Sequence, residues 1–422
     1  MGFNKLIVEI SALLFSTALF QMANGLQGTL LGVRAGIEGF STQFTGLIMT
    51  AYFLGYILGS SFIPKFVEKI GHIRTFTSCA SLVSVSSLLH GYFVDPLSWF
   101  VLRTITGVAI YGLYVVVESW INTKAESSNR GKVFSTYMII NLGALTLGQF
   151  ILNLDSPDTI GLFVIISVLF SLSVLPIAMT KFIAPDPIPN EKMRISRLFK
   201  ISQLGTFAIF ITGLSNSAFW GMSGIYAFSS GLTTSQISLF VGLIIFGGIV
   251  FQAPIGALSD KFDRRMFVIL TSGMHCFLSL LLAISGTDNL ALFYILSFIF
   301  GGFMLCVYSV CTALINDRID HHDMVRASGT MLLLFGVGAI LGPISVSFLM
   351  EAFGNAAFFV FMSVTQFMVV LFAIYRHYVG RSYEIEDLEP LVPVTPMSGH
   401  LTEFDPRLAE DDNDNDNDKK ED

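Results

Sequence analysis

Twelve long apolar segments dominate this sequence, and they restrict the possible folds more than any other feature. Each is close to the roughly 20 residues that an α-helix needs to cross about 30 Å of hydrocarbon. Hydrophobic residues make up 53% of the chain and charged residues only 13%, far from the composition of a soluble globular protein. The sequence therefore predicts an all-α membrane protein with twelve transmembrane helices. The predicted spans are 6–31, 42–63, 75–94, 97–121, 133–153, 159–180, 203–228, 235–258, 266–286, 290–314, 329–351 and 356–377.

The basic residues of the connections indicate how the chain is oriented. Cytoplasmic loops of membrane proteins are enriched in Lys and Arg. If the amino terminus is cytoplasmic, the opposite side carries only Arg34, and every other basic residue of the connections faces the cytoplasm. We therefore expect both termini in the cytoplasm and a multi-pass protein in the inner (plasma) membrane of a bacterium.

Two regions differ from the apolar segments in composition. Residues 181–202 form the longest internal connection, with three prolines and a basic run. We interpret them as a cytoplasmic loop between two six-helix bundles, 1–180 and 203–378. Residues 379–422 contain 14 acidic and 4 basic residues, and this composition is typical of disorder. We predict an acidic, disordered cytoplasmic tail.

The fourth apolar segment carries its polar residues on one face. Arg103 and Glu118 interrupt an apolar run. At about 100° per residue they share a stripe roughly 100° wide with Gly107, Tyr111 and Tyr114. Ionisable residues inside a membrane usually face a polar cavity or the interior of a helix bundle. This face therefore predicts a cavity filled by water or by a solute.

An offset of 194 residues relates the fourth segment to the tenth. Gly107 aligns with Gly301 and Tyr114 with Tyr308, but both charges of the fourth segment are missing from the second copy. Duplicated six-helix halves occur in membrane transporters, which bind their solute between the halves near the middle of the membrane. The repeat therefore favours two pseudo-symmetric bundles around a central solute site.

Several motifs resemble the major facilitator superfamily of transporters. The loop from Gly256 to Arg265 is similar to the superfamily's cytoplasmic Gly-x-x-x-Asp-Arg/Lys-x-Gly-Arg-Arg signature, with Asp263 in place of the second glycine. The runs LRTITGVAIYGLYVVVESWIN and DHHDMVRASGTMLLLF resemble, more narrowly, the bacterial YcaD-like branch. The resemblance covers about residues 6–377. It implies a secondary transporter that moves a small organic solute by alternating access.

The same resemblance implies gating and coupling roles for charged residues. Asp260 and Arg264 in the second-half signature, and Glu68 in a weaker first-half copy, are expected to latch the halves together in the outward-facing state. Arg103 matches the superfamily's fourth-helix motif, which is associated with proton coupling. Proton-coupled transport is therefore the favoured interpretation.

The residues themselves leave alternatives open for the two charges of the fourth segment. Arg103 either attracts an anionic group of the solute, modulates a nearby acid, or binds backbone carbonyls as a structural arginine. Glu118 is either a proton-coupling group or part of a gating ion pair with Arg130 or Lys132. About 22 Å of helix separates the two charges, which excludes a direct pair between them.

Amide and aromatic side chains supply the candidate contacts to the solute. Such groups provide the apolar walls and the few polar anchors of a small-molecule site, although amides also join helices without binding anything. The predicted substrate-binding residues are Asn24, Gln27, Tyr111, Tyr114, Asn216, Trp220, Tyr226 and Tyr308, with Gln21, Asn141, Gln149 and Gln252 as weaker candidates.

Other functional classes find little support. The sequence has no P-loop and no nucleophile–base arrangement, and His321-His322-Asp323 lacks the spaced partners of a zinc site. We expect no enzyme activity, no cofactor and no nucleic acid, and a monomer whose partners are lipid, a small solute and protons. Drug/proton antiport and metabolite uptake both stay open. The alternative to transport is a membrane sensor or scaffold that signals through the acidic tail.

Overall fold

The computed structural model is almost entirely α-helical. It describes residues 3–124, 130–179, 193–319 and 323–379. All twelve predicted apolar segments are helical, and most of the helices extend beyond the apolar run. The helices are α1 Phe3–Ile37, α2 Thr42–Ile70, α3 His72–Tyr92, α4 Pro96–Lys124, α5 Arg130–Ile151, α6 Gly161–Leu172, α7 Val174–Ala178, α8 Ile195–Ile201, α9 Gln203–Ser229, α10 Thr234–Ser259, α11 Arg264–Ser285, α12 Leu290–Asn316, α13 Met324–Phe353 and α14 Ala357–Val379.

Nine helices in the described parts of the chain are long and apolar enough to cross a membrane. They cover Thr42–Ile70, Pro96–Lys124, Lys132–Ile151, Gly161–Ala178, Thr234–Ser259, Arg264–Ser285, Leu290–Asn316, Arg326–Phe353 and Ala357–Tyr378. The other long helices, α1, α3 and α9, carry more polar residues, and many of these are buried against neighbouring helices. Burial of a polar face between helices is the arrangement expected in a bilayer.

Two details differ from the sequence-based expectations. The sixth predicted segment is divided at Ser173 into α6 and α7. Pro176 accounts for this division, because its ring crowds the carbonyl of Leu172 and it lacks an N–H. The predicted central loop also contains helix α8, which packs against α9. The Met193 N–H donates to the Arg326 carbonyl at 3.1 Å, so this part of the loop is attached to the carboxy-terminal helices.

Polar contacts gather the connections at two ends of the helix assembly. The far end is the one at which α1 ends, and the near end is opposite. At the far end, Arg34 donates to the carbonyl of Pro157 at 3.1 Å. The Ser229 hydroxyl donates to Asn355 at 2.9 Å at the same end. The turns after α1, α5, α9 and α13 therefore share one end, as expected for helices that alternate in direction.

The helices form an amino-terminal group, α1 to α7, and a carboxy-terminal group, α8 to α14. The groups meet through α1 with α9, α2 with α13, and α5 with α10. Hydrogen bonds between described residues of the two groups run from Thr50 Oγ1 to the Ile340 carbonyl and from Asn153 Nδ2 to Ser238 Oγ, each at 3.1 Å. All four residues lie in the far half of their helices or in the turn beyond, so the groups are joined toward the far end.

Glycine allows the closest approach between helices in each group. A Cβ at Gly107 of α4 would lie 2.0 Å from the Tyr52 carbonyl oxygen of α2. A Cβ at Gly301 of α12 would lie 1.9 Å from the Ile244 carbonyl oxygen of α10. The offset of 194 residues thus relates two glycines that make the same kind of contact.

We expect Gly107→Ala to lower the melting temperature of the purified protein. The added methyl group fits only if two helix backbones move apart, and such overpacking costs about 1–3 kcal/mol in the free energy of unfolding. Gly143→Ala is the matched control, because nothing lies within 4 Å of a Cβ there. Alanine favours a helix more than glycine does. Equal melting temperatures for the two variants would contradict the prediction.

Candidate functional site

A cavity lies between the two helix groups, mostly in the far half of the helices that line it. About 600 Å³ of space, open solvent included, lies between its walls. Helices α1, α2, α4 and α5 form one side of it, and α9 and α10 form the other. Its polar lining includes Asn24, Thr29, Tyr52, Arg103, Tyr114 and Gln149.

Arg103 brings a positive charge to this lining. Its side chain is only 4% exposed, and its guanidinium carbon lies 4.6 Å from the centroid of the Tyr52 ring. This is a cation–π contact, which stabilises one face of the guanidinium. Nε and Nη1 of Arg103 have no hydrogen-bond partner among the described residues. The cation is therefore largely withdrawn from water and only partly compensated.

Amide and aromatic groups complete the cavity. Gln149 accepts a hydrogen bond from Thr29 Oγ1 at 2.6 Å and donates to the Gly25 carbonyl at 2.9 Å, which fixes the orientation of its amide. Phe53 of the amino-terminal group and Trp220 of the carboxy-terminal group add apolar surface. The cavity thus combines a charged wall with aromatic walls from both groups.

Buried hydrogen bonds link the cavity to Glu118. Gln21 Nε2 donates to Tyr114 Oη at 2.7 Å and to Asn141 Oδ1 at 2.6 Å. Asn141 Nδ2 lies 3.5 Å from Tyr137 Oη, and the Tyr137 hydroxyl donates to Glu118 Oε1 at 3.1 Å. Glu118 itself is fully buried. We refer to these five residues of α1, α4 and α5 as the polar chain.

The structure brings some of the predicted substrate-binding residues into the cavity lining and leaves others elsewhere. Those in the lining are Asn24, Tyr114 and Trp220. Those outside it are Gln27, Tyr111, Asn216, Tyr226 and Tyr308. Gln27 donates to the Ser87 hydroxyl, and the three tyrosines pack against aromatic rings of their own helix group. Both amide atoms of Asn216 are buried.

Sequence reasoning missed the part of the cavity that α2 contributes. Tyr52 and Phe53 both line it, and neither was among the predicted site residues. The sequence did contain one signal that α2 has an interior face. Tyr52 and Tyr56 are four residues apart in an apolar segment and therefore share one helix face. A pair of hydroxyl-bearing aromatic residues on one face of a membrane helix favours an interior position over a lipid-facing one.

The predicted gating residues lie at the near end. Asp260 Oδ1 is 3.2 Å from Arg264 Nη1, and Arg264 Nε is 2.8 Å from Asp317 Oδ2. These three residues belong to the carboxy-terminal group. Glu68 is exposed near the end of α2. In this conformation Asp260 is therefore engaged in an ion pair inside its own helix group.

Several sequence-based predictions fall outside the described residues. They concern the side chain of Arg130, the first part of the central loop up to residue 192, the pair His321–His322, and the acidic tail from residue 380 onward.

Two helix groups around a shared central cavity, with many membrane-length helices, define a multi-pass membrane protein of the transporter type. The Major Facilitator Superfamily profile matches residues 13–203 and 205–401. The chain belongs to the Major Facilitator Superfamily, and the resemblance seen in its motifs is confirmed.

Individual relatives agree with this assignment. The chain is 25% identical over 364 residues to an uncharacterized MFS-type transporter, YcaD of Escherichia coli, covering 86% of this chain and 94% of YcaD. The crystal structure of the nucleoside transporter NupG superimposes with a TM-score of 0.72 at 14% identity, covering 88% of this chain and 99% of NupG. For the E. coli fucose:proton symporter FucP, the TM-score is 0.54 at 15% identity, with 88% and 99% covered. At such low identity, these two structures show a shared fold and nothing about the solute.

Proposed function

We propose that this protein is a secondary transporter that moves a small organic solute across the bacterial inner membrane by alternating access. The cavity shared by the two helix groups carries this proposal, because a rocking transporter needs a solute site that both halves line. The two moving bodies are the six-helix bundles 1–180 and 203–378. Residues 181–202 connect them on the cytoplasmic side.

We further propose that the near end faces the cytoplasm and that this conformation is inward-facing. The distribution of Lys and Arg over the connections supports the orientation. The two hydrogen bonds between the groups lie toward the far end, which supports closure on the periplasmic side.

Protons are proposed to drive the transport, with Glu118 as the group that binds them. A fully buried carboxyl group in a membrane helix is a natural site for reversible protonation. The polar chain connects Glu118 to Tyr114 in the cavity wall, so a change in its protonation would alter hydrogen bonds that reach the solute. The fold shared with a fucose:proton symporter agrees with this proposal.

We expect Glu118→Gln to abolish accumulation of solute driven by a pH gradient while downhill exchange of solute persists. Glutamine keeps the size of the side chain but cannot bind and release a proton, so only the coupled step is lost. A thermal-shift screen of metabolites and drugs identifies the solute, because a ligand that binds the folded protein raises its melting temperature. Proteoliposomes with an imposed pH gradient then measure its accumulation.

Glu351→Gln is the matched control, because it removes an exposed carboxylate of α13 outside the polar chain. It should accumulate solute like the unmodified protein. Accumulation by Glu118→Gln equal to that of the unmodified protein would remove Glu118 from the coupling mechanism. If no solute moves in either direction, the transporter proposal fails and the sensor alternative gains weight. Deletion of residues 379–422 then becomes the informative experiment.

A further inference from the structure

Arg103 gives the cavity an unbalanced positive charge. Among the described residues that line the cavity, none is acidic. The acidic residue of α4, Glu118, lies about 22 Å away along the helix axis. Arg103 is nevertheless 96% withdrawn from solvent, with Nε and Nη1 unpartnered among the described residues. The described lining therefore holds a cation without an acidic partner.

A buried cation without a counterion is unfavourable, and this has a consequence for what binds. Removing a guanidinium from water is costly unless an opposite charge and hydrogen bonds replace the lost hydration. The ring of Tyr52 covers only one face of the group, and a cation–π contact replaces part of that hydration. Nε and Nη1 are buried without a hydrogen-bond partner among the described residues, so the hydration that they lose is not replaced.

We propose that the solute is an organic monoanion whose carboxylate binds Arg103 and whose body lies against the aromatic side chains Trp220 and Phe53. This inference rests on the proposed transport function and specifies the solute class of the same cavity. A guanidinium donates strong, charge-assisted hydrogen bonds to a carboxylate, and Arg103 is the basic residue of the described lining. Asn24, beside Tyr52 in the lining, is positioned for further polar contacts.

The same charge balance argues against the other solute classes. A cationic drug would meet Arg103 with no acidic partner in the described lining. A neutral solute would leave the guanidinium uncompensated. A phosphate ester, which carries close to two negative charges at neutral pH, would face one basic residue and remain half neutralised. A carboxylate balances the charge of the site.

The first test needs no solute. We expect Arg103→Met to raise the melting temperature of the ligand-free protein by roughly 2 °C or more, because it replaces an uncompensated buried cation with an apolar chain of similar length. Arg264→Met is the matched control, since Arg264 is equally buried but pairs with Asp260 and Asp317. Arg264→Met should lower the melting temperature, because it leaves Asp260 and Asp317 without this partner. A lower melting temperature for Arg103→Met would identify a structural arginine and overturn the proposal.

The second test uses pairs of probes that differ only in charge. Acetate, lactate, benzoate, phenylacetate and indole-3-acetate are each compared with the corresponding neutral amide, and benzamidinium serves as the cation. We expect at least one carboxylate to raise the melting temperature where its amide does not. Arg103→Met should lose this shift completely, and Arg103→Lys should weaken binding about tenfold, because lysine lacks the planar guanidinium with its several N–H donors.

The outcomes separate the two proposals. Equal stabilisation by an amide and its carboxylate, preference for benzamidinium, or no response to any carboxylate would each overturn the monoanion assignment. If a neutral or cationic solute is instead transported in proteoliposomes, alternating access stands and only the assigned solute class fails.

Discussion

Cross-linking residue 153 to residue 238 should lower the rate of solute uptake about tenfold or more while solute binding persists. The reason is that alternating access requires the far end to open. Asn153 Nδ2 donates to Ser238 Oγ at 3.1 Å, and this hydrogen bond joins the two helix groups at that end. Cysteines at both positions are linked by a short bis-methanethiosulfonate reagent, which holds the two helix groups together at the far end. Uptake into proteoliposomes is measured before and after reduction, and reduction should restore it.

The chain offers a matched control for this experiment. Ser229 and Asn355 form a hydrogen bond of 2.9 Å at the same end, but both belong to the carboxy-terminal group. Cross-linking cysteines at these two positions should leave uptake unchanged. The native cysteines do not interfere if Cys276, which is half-buried, is replaced by serine, since the other three are buried. Full uptake by the first cross-linked protein would show that the far end does not open during transport.

The fold follows from the sequence to a large extent because one physical requirement dominates it. A segment in hydrocarbon must satisfy its backbone hydrogen bonds internally, so long apolar runs become helices almost irrespective of their other residues. Helix ends were less predictable. Helix α13 begins at Met324 and not near residue 329, because polar residues extend a helix beyond the hydrocarbon as readily as apolar ones. The division at Ser173 and helix α8 depend on local chemistry that hydropathy does not detect.

The site was only partly accessible from the sequence, since helical periodicity gives a face but not the neighbour that the face meets. Tyr111 and Tyr114 were placed on one stripe of α4, yet only Tyr114 reaches the cavity. Tyr111 packs edge-on against Tyr56 of α2, at 5.0 Å between ring centroids. Which of two residues on one face reaches the cavity is decided by the crossing of α2 over α4, and that depends on contacts far apart in the chain.

The second copy of the repeat keeps the close helix packing at its glycine but lacks the two charged residues of the first copy. Ser297 and Thr312 occupy the positions that correspond to Arg103 and Glu118. Each donates its hydroxyl to a carbonyl one turn earlier on α12, at 2.6 Å and 3.0 Å. Such a bond keeps a short polar side chain within its own helix. Both charged residues of the repeat therefore lie in the amino-terminal group, and the carboxy-terminal group adds Trp220 to the same cavity.

Tyr137→Phe should uncouple solute movement from protons nearly as completely as the loss of the Glu118 carboxylate. The Tyr137 hydroxyl donates to Glu118 Oε1 at 3.1 Å and lies 3.5 Å from Asn141 Nδ2, so it joins the carboxyl group to the rest of the polar chain. Without it, a change in the charge of Glu118 no longer reorganises the hydrogen bonds that Gln21 makes to Tyr114. We expect pH-driven accumulation to fall about tenfold or more while solute exchange continues.

Thr146→Val controls for a general effect of removing a half-buried hydroxyl group from α5. Thr146 lies on the same helix, α5, and its hydroxyl donates to the Leu142 carbonyl of that helix at 2.9 Å, outside the polar chain. This variant should accumulate solute normally. If Tyr137→Phe and Thr146→Val accumulate solute equally under a pH gradient, Glu118 affects the cavity by another route, such as movement of α4 as a rigid body. Loss of exchange together with coupling would instead assign Tyr137 to the packing of α4 against α5.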